Sequence, residues 1–81
     1  MLHVVTLKKP AEADSGQARL VQSYLGHLAV NSRGIEVRFV PEERDNIEIT
    51  SANKRRLKEF IKKSDIGRMK PNWTQVESTR P

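Results

Sequence analysis

The sequence predicts a small two-layer α+β domain, and three observations carry that expectation. Its 81 residues leave room for one hydrophobic core and no second one. Short β-branched or alternating runs are interleaved with two segments of helical periodicity. Each helical segment has a single apolar stripe, so both helices should pack on one face of an antiparallel or mixed sheet.

The elements follow in order. Leu2 to Leu7 is rich in β-branched residues and stops at Lys8-Lys9-Pro10, the pattern of a first strand. Asp14 or Ser15 can cap a helix in which Ala18, Leu20, Val21, Tyr24, Leu25 and Leu28 recur at helical spacing. Arg19, Gln22, Ser23 and Gly26 are placed on its opposite side. Gly26 weakens this helix by about 1 kcal/mol relative to Ala, which suggests close approach of a neighbouring strand. Asn31-Ser32-Arg33-Gly34 ends it with residues that tolerate left-handed backbone angles.

Ile35 to Phe39 then alternates cleanly, and Ile47-Glu48-Ile49 resumes the alternation after the polar loop from Pro41 to Asn46. The two runs read as an antiparallel hairpin with a long loop. Thr50 or Ser51 can cap a second helix reaching about Ser64, with Leu57, Phe60 and Ile61 as its apolar stripe. Asp65-Ile66-Gly67 supplies the stop. Residues 1–70 thus form the α+β domain, in the order βαββα. Residues 71–81 are either a fourth, edge strand containing Trp73 and Val76 or a flexible tail. With the strand, the order is that of the split βαβ, or ferredoxin-like, arrangement. The expected core is Val5, Leu20, Tyr24, Leu28, Ile35, Val37, Phe39, Ile49, Leu57, Phe60 and Ile61.

Composition narrows the chemistry. The chain has no cysteine, which removes disulfides, thiolate metal sites and cysteine nucleophiles together. No apolar stretch approaches the roughly 20 residues of a membrane span, and the first residues lack the pattern of a signal peptide. A cytoplasmic protein without a membrane partner is the expectation, and the sequon Asn72-Trp73-Thr74 is then irrelevant. Hydrophobic content of 36% against 31% charged lies above the disorder regime. A chain this small buries roughly 60% of its unfolded surface, so a partner or a homodimer would add needed stability.

The charge is local. Between residues 54 and 70, eight cations face two anions, so this segment nets +6 while the whole chain nets +5. The cations are Lys54, Arg55, Arg56, Lys58, Lys62, Lys63, Arg68 and Lys70, opposed by Glu59 and Asp65. On a wheel of about 100° per residue, Lys58, Lys62 and Arg55 form a stripe beside the buried face, with Arg56 and Lys63 on the other flank. Glu59 lies four residues from both Arg55 and Lys63, which suits paired charges. An ordinary solvated helix face is the plain reading, since Lys and Arg stems cover apolar surface. Three cations in the first helical turn oppose the macrodipole, however. With the hydroxyls of Thr50 and Ser51 they would make an anion site, with nucleic-acid phosphate as its commonest ligand.

Other residues point away from chemistry. His3 and His27 lack ligand spacing, and Glu42, Glu43 and Asp45 do not follow a calcium-loop pattern. There is no phosphate cradle, nucleophile elbow or paired catalytic motif, so neither an enzyme nor a cofactor is expected. The central strands offer only Phe39, on the inward face, which disfavours RNA stacking on the sheet. Trp73 is read as a core plug rather than a stacking residue. The sequence therefore points to nucleic-acid binding, DNA or RNA, through the second helix and the segment after it. A regulatory factor docking its basic patch on an acidic protein surface is the alternative. A small nuclease-like toxin is a weaker third.

Overall fold

Alternation and helical periodicity are realised in the order β1 (Leu2–Lys8), α1 (Ser15–Val30), β2 (Glu36–Val40), β3 (Asn46–Ser51), α2 (Lys54–Ser64), α3 (Ile66–Met69) and β4 (Thr74–Arg80). A short 3-10 turn at Pro41–Glu43 sits in the loop between β2 and β3. The computed structural model describes all residues Met1–Pro81. The strands form one antiparallel sheet in the order β2-β3-β1-β4. This is the split βαβ arrangement, with residues 74–80 as its fourth, edge strand. No helix is long and apolar enough to cross a membrane.

Register explains where the core sits. Val37 pairs with Ile49 and Ile49 with Val5, while Phe39 pairs with Ile47 and Ile47 with Leu7. Because side chains alternate between faces, these residues form two apolar rows on the face that receives the helices. Ala18, Val21 and Leu25 of α1 and Leu57 and Phe60 of α2 close over them in one core cluster. The same rows continue onto β4 as Glu77 and Gln75, opposite Val5 and Leu7. The apolar face therefore ends at β1, and every residue of β4 is exposed.

Several local expectations are corrected by the structure. Leu20 is 72% exposed, because it falls about 200° round the wheel from Ala18 and so points away from the sheet. Arg19 is not on the far side but lies 5.7 Å from the Phe39 ring centroid. A Cβ on Gly26 would meet nothing within 4 Å, so no strand approaches it. Thr50 and Ser51 belong to β3, and the α2 cap is Asn53, whose side chain accepts from the Arg56 backbone N–H at 3.1 Å. The Ser51 hydroxyl is buried and accepts from the Asn53 N–H. The first helix is capped by Asp14, with Gln17 completing a capping box.

The chain leaves α2 through Asp65, within the expected stop, with φ at 60°, a left-handed angle an acidic residue tolerates better than a branched one. That turn sends Ile66 into the core. Trp73 also joins the core, just before β4 begins. Tyr24 of α1 donates its hydroxyl to the Ser64 carbonyl at 2.7 Å, tying the two helices together at the end of α2.

Candidate nucleic-acid interface

The basic helix owes its orientation to its apolar stripe. Leu57 and Phe60 are each 3% exposed, and Ile61 packs against the same core. With Leu57 held down, residues 54, 58 and 62 fall on one flank, at steps of four residues. That flank faces β4. Lys54, Lys58 and Lys62 line two clefts of about 290 Å³ and 380 Å³, which share Lys58 and Glu77 and so form one trench. Leu57 and Ile61 stand on the helix side; His3, Val5, Gln75, Glu77 and Thr79 come from the sheet. The trench exists because the inner face of β4 is polar and exposed, so nothing draws the helix layer across it.

The structure divides the eight sequence-nominated cations into five groups. Lys54, Lys58 and Lys62 form the row along the trench. Arg55 stands apart, at 3.5 Å from Glu59, with both side chains largely exposed. Arg56 and Lys63 lie on the opposite flank, in a cleft of about 350 Å³ that Ser32 and Arg33 also line. There Arg56 donates to the Arg33 carbonyl at 3.2 Å. Glu59 takes Arg55 as its only ion-pair partner and leaves Lys63 free. After the left-handed turn, Arg68 closes back on Asp65, donating from Nε at 2.8 Å, a hydrogen bond that raises its pKa. Lys70 lies beside Glu12, Gln17 and Trp73, away from the α2 row.

Sequence reasoning grouped Arg55 with Lys58 and Lys62, whereas the structure groups Lys54 with them. The signal was present, since 54, 58 and 62 are successive steps of four. Gln75, Glu77 and Thr79 were missed, because their place opposite the helix depends on how β4 pairs with β1.

A second charged cluster lies on the other face of the sheet. Glu48 is 4% exposed. Arg80 grips it with both guanidinium branches, one at 3.1 Å to Oε1 and the other to Oε2. Arg38 approaches the same carboxylate at 4.0 Å. The hydrogen bonds from Arg80 hold the Glu48 carboxyl below the usual range despite its burial. In the acidic loop, Glu42 faces Arg38 at 4.0 Å and Asp45 accepts from the Ser15 hydroxyl at 2.6 Å.

No protein-family model and no curated protein matches this chain. The functional reading therefore rests on the geometry.

Proposed function

We propose that this protein binds nucleic acid through α2, with phosphate contacts supplying most of the affinity. One observation carries the reading. Of six cations in α2, only Arg55 has a carboxylate within 4.0 Å, so five remain uncompensated on one short helix. Elsewhere Arg38, Arg68 and Arg80 are ion-paired, while Arg19, Arg33 and Arg44 are not. A helix that keeps its cations unpaired is suited to releasing counterions from a polyanion.

The exposed part of α2 also lacks the apolar and aromatic anchors that concentrate energy in protein interfaces. That favours a phosphate backbone over a protein. The alternative, an acidic protein surface, is supported by the free outer edge of β4 beside the lysine row. A titration of labelled duplex DNA, single-stranded DNA and RNA at two salt concentrations tests the proposal. Binding should weaken steeply with salt. Replacing Lys54, Lys58 and Lys62 together by Ala should reduce the salt slope by about three. An unchanged slope in the folded triple variant would remove the lysine row of α2 as the binding surface.

A further inference from the structure

We infer that one strand of a phosphodiester backbone lies in the trench between α2 and β4, and that Glu77 on the trench floor holds the affinity down. The inference rests on the nucleic-acid reading and adds the ligand's path and a residue of opposite sign.

The lysine row gives the trench its direction. At about 1.5 Å rise per residue, Lys54, Lys58 and Lys62 leave the helix about 6 Å apart and span about 12 Å. None has a carboxylate within 4.0 Å. The opposite wall supplies uncharged donors in Gln75 and Thr79, of the kind that accompany Lys and Arg on phosphates. Against three cations the trench contains one carboxylate, Glu77, which lines both of its halves. It is exposed and makes no ion pair, so its charge is available to repel an incoming phosphate.

The aromatic residues select how the ligand is read. Phe60 and Trp73 are buried, Phe39 lies under Arg19, and Tyr24 is bonded to Ser64. No Phe, Tyr or Trp ring is left on the trench to stack on an unpaired base, and the His3 imidazole is the one ring among its lining residues. Contacts to backbone alone, without base readout, suit duplex of any sequence.

The competing path is the outer ridge of α2, where Arg55 and Glu59 face solvent. Each path contains one carboxylate, and that makes them separable. Glu77→Gln should tighten binding to a duplex DNA oligonucleotide roughly two- to fivefold at low salt, the range expected for one exposed charge contact. Glu77→Lys should also raise the salt slope by about one. Glu59→Gln should leave the affinity near that of the parent. Amide chemical-shift changes on adding duplex should concentrate at His3, Gln75, Glu77 and Thr79.

Tightening by Glu59→Gln alone would place the ligand on the ridge, and equal tightening by both variants would mean net charge only. Either outcome overturns the trench. Stronger binding to single-stranded DNA of equal length would overturn the backbone-only mode. If the unmodified protein retains polyglutamate and no oligonucleotide at low salt, the nucleic-acid reading fails and the inference falls with it.

Discussion

The two faces of the sheet treat positive charge in opposite ways. On the open face, Arg38 and Arg80 converge on a buried carboxylate, and Arg80 is committed to two hydrogen bonds with it. On the helix face, Lys54, Lys58 and Lys62 stand beside a trench with no ion-pair partner. Guanidinium suits the first task because its planar fork matches a carboxylate with two parallel bonds. Ammonium suits the second, being a compact, hydrated charge on a flexible stem. Charge serves cohesion on one face, and on the other it is left available.

Four measurements test that contrast, beginning with the largest expected effect on stability. Phe60→Ala removes the core anchor that orients α2 and should cost about 3–5 kcal/mol in urea unfolding. It should scramble the lysine row as well, since the row is defined by the buried stripe.

Glu48→Gln strikes the other face. It should lower the thermal midpoint by less than Phe60→Ala while leaving the lysine row intact. The pH dependence separates this cluster from the rest. A carboxyl whose folded pKa is depressed stabilises the fold above its unfolded value, about 4.3 for Glu, and loses that contribution as pH falls through the lower folded value. The parent protein should therefore lose stability in acid more steeply than Glu48→Gln over that window.

Gly26→Ala should raise stability by up to about 1 kcal/mol, because the added methyl meets open space inside a helix. Loss of stability would mean that a partner approaches the helix there. A small effect on folding per residue belongs to the triple Ala variant at Lys54, Lys58 and Lys62. Each exposed substitution should stay within about 0.5 kcal/mol. The same variant should show the greatest loss of salt-dependent binding, and circular dichroism beside the titration checks both halves of that expectation.

Much of the fold is legible in particular residues. Alternation from Ile35 to Phe39 marked a strand to within one residue of β2 (Glu36–Val40). The step of three and four at Leu57, Phe60 and Ile61 set which side of α2 is buried. The errors are informative too. Leu20 belongs to the apolar set at helical spacing in α1, yet its angle on the wheel puts it outside the core. Thr50 and Ser51 were offered as caps because a hydroxyl near a helix start suits that role, yet β3 pairing with β1 claimed both. Local pattern competes with long-range hydrogen bonding, and the ladder prevailed there.

The α+β class, the apolar stripe of each helix and the crowding of cations between residues 54 and 70 are properties of neighbours along the chain and can be read from it directly. What those cations face depends on strand pairing between distant segments. Pairing β4 beside β1 sets Glu77 and Gln75 in line with Val5 and Leu7, which ends the apolar rows and leaves the trench open. The same pairing brings Arg80 onto Glu48, 32 residues away. A strand's register is settled by a partner remote in sequence, and a slip of one residue would exchange its two faces.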